Sequence, residues 1–223
     1  MPDRPVRSRM SARHRIFAAV YDRLSAPLER RELAPRRARL LSGLTGTVVD
    51  VGSGTGANLR HFRNAERVIL VEPDGYMRAR LGKRLGESPV PVDVSDADAE
   101  HLPLPDGAAD GVVFTLVLCS VPDQRLALLE ARRVLKPGGT LAVLEHVRGQ
   151  GRAGRWQDRL DRLWGRCVAP GCHLNRDTVA AIGEAGFDFT EVSRFEAPAV
   201  ALATPIIAGT AVERIPFTGT SSA

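Results

Sequence analysis

The sequence predicts an α/β protein: a mostly parallel β-sheet with helices on both faces, closed by an antiparallel hairpin. Three observations lead there. From Thr47 onward, short apolar runs alternate with stretches of helical periodicity, the mark of βαβ units. The first run empties into the glycine-rich loop Gly52-Ser53-Gly54-Thr55-Gly56, where a backbone lacking Cβ atoms turns sharply and approaches a ligand. Two last apolar runs lie close enough in sequence to pair as a hairpin.

In chain order, residues 1–12 are polar and Arg-rich and read as a flexible basic tail. Ile16, Phe17, Val20, Tyr21 and Leu24 then share one helical face, and Pro27 stops that helix. A second helical run covers about 28–44. Residues 13–44 are therefore expected to be helices lying over the site. The strands follow at 48–51, 67–72, a weaker 90–94, 111–118 and 140–147. A helix is expected directly after the glycine loop. Another is set by the stripe Ala127, Leu128, Ala131, Val134 and Leu135, and Lys136-Pro137-Gly138-Gly139 ends it. Trp156, Leu160, Leu163, Trp164 and Cys167 define a helix over 152–168. Asn175 is a candidate N-cap for the next helix, which ends at Gly186. Strands at 188–195 and 206–214 complete a main domain over 45–215, and 216–223 form a C-terminal tail.

The 223 residues carry 31 Lys+Arg and 26 Asp+Glu, a formal net charge of +5. That excess is local. Residues 1–39 hold eleven Arg and four acids, while the other 184 residues hold 20 basic and 22 acidic side chains. A slightly acidic body argues against a nucleic-acid partner and for a small-molecule substrate. Cys119, Cys167 and Cys172 are an odd number without framework spacing, so they read as reduced thiols in a cytoplasmic protein. No run approaches the ~20 apolar residues of a membrane span. Asp22 and Arg23 interrupt the N-terminal apolar run, so no secretory signal is expected. The oligomeric state is not legible.

The glycine loop asks for a nucleotide-like cofactor, and two compete. Gly52-x-Gly54-x-x-Ala57 satisfies the dinucleotide fingerprint. The same stretch reads D-x-G-x-G-x-G, with Asp50 placed to meet a cation. S-adenosylmethionine carries an amino group and a sulfonium, whereas Asp50 would repel a pyrophosphate. Glu72, at the end of the second strand, suits the two ribose hydroxyls of either cofactor. Asp98, with the adjacent backbone N–H, could read adenine; it could also be a turn residue.

These residues, with Glu72-Pro73-Asp74, Asp98-Ala99-Glu100-x-Leu102-Pro103, Asp110 and Arg133-Val134-Leu135-Lys136-Pro137-Gly138-Gly139, resemble the class I S-adenosylmethionine-dependent methyltransferases, in the branch of the ubiquinone/menaquinone C-methyltransferases. The resemblance spans about 47–147 and implies a Rossmann-like sheet of seven strands in the order 3-2-1-4-5-7-6, with strand 7 antiparallel. It assigns Asp50, Gly52, Ser53, Gly54, Gly56, Asn58, Glu72, Pro73, Asp98, Ala99, Thr115 and Leu116 to S-adenosyl-L-methionine, with S-adenosyl-L-homocysteine as product. A narrower resemblance, on Gly54-Thr55-Gly56-Ala57-Asn58, Thr115 to Val121, Glu145-His146-Val147, Gly171 to Thr178 and Pro205-Ile206-Ile207-Ala208-Gly209, is to the methyltransferase-like alkyl-thiol S-methyltransferases. Animal members carry a hydrophobic N-terminal anchor where this chain has basic polar residues, so membrane attachment is not carried over.

The reading is then a methyltransferase acting on a small apolar acceptor, first a thiol. The alternatives are C- or O-methylation of a quinone-like or polyketide-like ring, and a non-catalytic cofactor-binding protein. An acceptor pocket belongs at the carboxyl ends of the strands, within reach of Tyr21, Cys119, His146 and His173. His146 and His173 are candidates for a base or orienting group. Tyr21 resembles an aromatic that closes over the cofactor; it would otherwise be core packing. The 152–168 helix, Trp- and Arg-bearing, is read as a lid. An ordinary packed helix or a weak membrane-surface contact is the other choice. Cys167, Cys172 and His173 match no closed zinc set, and no metal is expected.

Overall fold

A computed structural model describes residues 26–167, 171–199 and 202–214. Residues 26–28 are helical and run into a π-helical turn (Glu29–Leu33) that continues into helix α1 (Ala34–Ser42). The Ala34 N–H reaches back to the Glu29 carbonyl. Pro35 follows at once and has no N–H to give the next turn, and the wide turn absorbs that missing bond. The helix expected over 16–24, and Tyr21 with it, lies outside the described residues.

Seven strands form one sheet in the order β3-β2-β1-β4-β5-β7-β6. They are β1 (Gly46–Val51), β2 (Ala65–Val71), β3 (Val92–Ser95), β4 (Ala109–Thr115), β5 (Leu135–His146), β6 (Phe187–Ala199) and β7 (Leu202–Glu213). The first five are parallel; β7 runs antiparallel to both β5 and β6. Helices α2 (Gly75–Leu81), α3 (Gln124–Val134), α4 (Gly151–Cys167) and α5 (Thr178–Glu184) complete the elements.

Successive residues Val48 to Val51 are all buried because each face of the sheet is covered. Val49, Val112, Phe114 and Val143 pack on one side against Ala127, Leu128 and Ala131 of α3. Val48, Leu70, Val113 and Ala142 pack on the other against Leu41, Leu59, Phe62 and Leu81. Chain order reverses at β1, which has β2 on one side and β4 on the other. That switch point opens a crevice at the carboxyl ends of the strands.

Four local expectations are corrected. No α-helix follows the glycine loop: residues 52–58 are coiled, and only a 3₁₀ turn, Leu59–His61, comes after. Gly52, Gly54 and Gly56 all have positive φ (68°, 56° and 89°), which a right-handed helix forbids. A Cβ on Gly56 would come 2.6 Å from Leu59 Cδ1 and 2.8 Å from Leu81 Cδ1. Strand β4 stops at Thr115 because Leu116 swings to φ 57°. Strand β5 begins at Leu135, directly off α3, so Lys136-Pro137-Gly138-Gly139 lies within the strand. Helix α5 is capped by Asp177, whose carboxylate accepts from the Ala180 N–H at 3.1 Å, not by Asn175.

Candidate active site

A cavity of about 420 Å³ occupies the switch point. Its inner half is built by the β1 and β2 exits. Gly52, Ser53, Gly54 and Asn58 line it from the loop, Glu72 and Pro73 from β2, and Asp98 and Ala99 from the segment after β3. The Glu72 carboxylate is nearly buried and accepts the Gly54 N–H at 2.8 Å and the Asp74 N–H at 2.9 Å. Each oxygen keeps a lone pair for a further donor. Burial pushes its pKa up. Gly54 presents bare backbone, and a Cβ there would meet nothing nearer than 3.9 Å, so the loop face is an open cradle. The segment 98–106 is held by Arg133 of α3, which donates to the Leu104 carbonyl at 2.8 Å and the Leu102 carbonyl at 3.2 Å and pairs with Glu130 and Asp106. This is what the Arg133 motif does structurally.

Asp50 and Gly56, both expected at the cofactor, do not line the cavity. Asp50 is fully buried behind Asn58: its Oδ1 accepts from Asn58 Nδ2 at 2.7 Å, and its Oδ2 has no partner among the described residues. Burial lifts its pKa from 3.8 to about 7. Asn58 also donates to Thr115 Oγ1 at 3.0 Å and accepts from Arg37 Nη1 at 2.7 Å. Arg37, buried and paired with Glu29 at 3.0 Å, is therefore a cation on the cavity wall. It was not singled out in the sequence, where it is one of many arginines on a helical run. Gly56 belongs to packing.

The outer half is built by the β4 and β5 exits and by the segment after α4. Thr115, Leu116 and Cys119 line it from β4, His146 from the last position of β5, and Trp164, Cys172 and Leu174 from the far side, with Leu28, Val121 and Ile206. His146 Nε2 lies 3.1 Å from Cys172 Sγ. Ligating atoms of Cys119, His146 and Cys172 all lie within 4.8 Å of one another. The Cys119 thiol, as hydrogen-bond partner, and then His146 draw the Cys172 pKa down from 9.0 to about 5. The same contact, with burial, drives Cys119 up. Burial disfavours the charged form of His146, but Cys172 outweighs it and holds the imidazole above its usual 6.5.

Glu145 was also missed. It is fully buried, and its Oε1 accepts the Val117 and Leu118 N–H groups at 2.8 and 3.0 Å. It thereby fixes the left-handed turn at Leu116 that delivers Cys119. Burial raises its pKa to about 7.

His173 is not in the cavity. Its Nδ1 lies 3.0 Å from Asp161 Oδ2, and its ring is half-exposed. The zinc combination weighed in the sequence is not what the fold assembles, since His173 is turned away to α4. Helix α4 docks on this side through its two acids. Asp158 pairs with Arg148 at 2.6 Å, and Asp161 accepts from His173 and from the Leu174 N–H at 2.6 Å. Its tryptophans part company: Trp164 lines the cavity, whereas Trp156 is 55% and Leu163 60% exposed. No helix among the described residues is long and apolar enough to cross a membrane.

Residues 49–143 match the family model of a methyltransferase domain. The chain is 34% identical to human thiol S-methyltransferase TMT1A over 173 residues, covering 75% of this chain and 70% of that protein. It is 34% identical over 108 residues to the ubiquinone/menaquinone biosynthesis C-methyltransferase UbiE of Caulobacter sp. (strain K31), covering 44% and 43%. In fold it is similar to a SAM-dependent methyltransferase of Thermotoga maritima, with TM-score 0.66 at 24% identity over 90% of this chain and 97% of that one. The crevice, the cradle and these likenesses agree, and the chain belongs to the class I S-adenosylmethionine-dependent methyltransferases.

Proposed function

We propose that this methyltransferase acts on a small, largely apolar thiol. The observation that carries the reading is the outer cavity wall: aliphatic Leu28, Val121, Leu174 and Ile206 surround a polar group made of Cys119, His146 and Cys172. The likeness to a thiol S-methyltransferase supports it, because that match reaches 75% of the chain where the C-methyltransferase match reaches 44%.

S-adenosylmethionine supplies a methyl group already activated on a sulfonium, so the protein's contribution is positioning and exclusion of water. Gly52, Gly54 and the open cradle would hold the cofactor's polar chain, with Asn58 and the Arg37 cation beside it. Glu72 would accept from the ribose hydroxyls through its spare lone pairs. Asp98 and Ala99 would hold the base. Asp50 acts through Asn58 as a positioning residue. Trp164 and the aliphatic wall exclude water from the acceptor. His146, paired with Cys172, orients the acceptor thiol, whose thiolate form is the nucleophile.

The experiment is a product screen by mass spectrometry with isotopically labelled cofactor and a panel of alkanethiols, phenols and hydroxyquinones. Labelled methyl thioethers are expected from the thiols. Methylated phenols or quinones with no thioether would overturn the acceptor assignment.

A further inference from the structure

We infer that Cys119, His146 and Cys172 form a binding site for a soft divalent cation, Zn²⁺ in the first place, whose fourth position faces the acceptor cavity. The three ligating atoms come from separate segments: the turn after β4, the end of β5 and the segment after α4. They lie within 4.8 Å of one another, with His146 Nε2 and Cys172 Sγ at 3.1 Å. Two thiolates and one imidazole are a donor set that suits zinc. At Zn–S distances of about 2.3 Å a tetrahedral site needs sulfurs roughly 3.8 Å apart. Small side-chain rotations close the set to that size.

The surroundings leave one position open. No fourth His, Cys, Asp or Glu joins the cluster among the described residues. Asp161 is committed to His173 and Leu174, and Glu145 gives Oε1 to the Val117 and Leu118 N–H groups, while its Oε2, unpartnered among the described residues, lies outside the cluster. All three ligands line the cavity. Three protein ligands and an open position are the arrangement of zinc sites that bind a substrate. An acceptor thiol entering that position gives up its proton to water at the cavity mouth, and its sulfur lone pair forms the metal–sulfur bond. This use of the open position rests on the thiol reading above; the metal site itself does not.

Cobalt tests both parts on the full-length chain, reduced with a phosphine and stripped of metal. Titration with Co²⁺ is expected to give one equivalent bound per chain, with a sulfur-to-cobalt charge-transfer band in the near ultraviolet that Zn²⁺ abolishes. Cys119→Ser and Cys172→Ser should each remove most of the band, and His173→Ala should leave it. Adding an alkanethiol without cofactor should strengthen and shift the band as a third sulfur binds. A folded wild-type protein with no band, or a band that survives both active-cluster serine variants, overturns the site. A band that thiols leave unchanged overturns the open position. Thiols methylated at full rate by the metal-free enzyme would overturn a role for the metal while leaving the thiol reading intact.

Discussion

Replacing Asp50 by Asn should make the protein more stable and a poorer binder of its cofactor. Asp50 is a carboxylate with 0% exposure, one oxygen without a partner among the described residues, and a pKa lifted from 3.8 to about 7 by burial against the opposing pull of Asn58 and Arg37. For an acid whose folded pKa lies above its unfolded value, the native state holds more protons between the two. Stability therefore falls as pH rises from about 4 to about 7 and stays reduced above that. Three units at ~1.4 kcal/mol each set that penalty on the order of 4 kcal/mol. The amide that replaces the carboxylate keeps an unpartnered buried group, worth ~1–3 kcal/mol against it. The net expectation is a gain of ~1–3 kcal/mol at pH 8 that turns into a loss of ~1–3 kcal/mol near pH 4. Urea denaturation of both proteins at pH 4, 6 and 8 measures it. Glu145, also raised to about 7 by burial, bends the wild-type curve over the same window, so the difference between the two curves is the quantity to read. Cofactor affinity by calorimetry should drop ~10–100-fold as the anchor of Asn58 loses its charge. A variant that follows the wild-type pH curve, or is less stable at pH 8, would refute the assignment of a buried ionisable Asp50.

Gly54→Ala should leave the fold standing, because its Cβ has room, while the left-handed φ costs ~1–2 kcal/mol. The methyl stands in the cradle, so cofactor binding by calorimetry should weaken at least ~10-fold with only a few degrees lost in Tm. His146→Ala should lower thiol turnover by ~10²-fold or more with cofactor affinity nearly unchanged, and His173→Ala should change neither, since that ring faces Asp161. Glu145→Gln keeps an acceptor for the Val117 and Leu118 N–H groups and should fold with a higher stability above pH 7. Glu145→Ala leaves both amides bare and should lose ~2–4 kcal/mol in denaturant titrations. Arg133→Met should raise the cofactor Kd through a loosened 98–106 segment and spare the acceptor KM.

Most of the sheet was legible because its signal is local. Val48 to Val51 and Val68 to Val71 are largely apolar runs, covered on both faces of the sheet, and the family resemblance marks the same strands. The helix expected after the glycine loop failed because three left-handed glycines act together, and a sequence reading credits each glycine with a turn but not the row with a coil. Gly52, Gly54, Glu72 and Asp98 all line the one crevice, because they sit at strand exits that a motif marks. The motif puts Asp50 beside the loop, but its place behind Asn58 depends on the loop's path, which no local pattern carries. Arg37 was invisible for a different reason: nothing local distinguishes the one arginine of a helical run whose head group is buried.

The acceptor side was legible only in pieces, and the geometry explains why. Cys119, His146 and Cys172 are 26 to 27 positions apart, so no spacing rule links them. What joins them is alternation at the end of one strand. Glu145 and His146 are neighbours on β5 and so point to opposite faces. Glu145 reaches under the β4 exit and holds the N–H groups of Val117 and Leu118, which sets the turn that carries Cys119. His146 faces the segment after α4 and meets Cys172, whose neighbour His173 is tied by its own N–H to the Cys119 carbonyl at 2.8 Å. One dipeptide thus fixes both halves of the outer wall. The same turn begins with Leu116, beside Thr115 and Asn58. Cofactor crevice and acceptor wall therefore share a rigid joint, which is what an in-line transfer between two bound reactants requires of its scaffold.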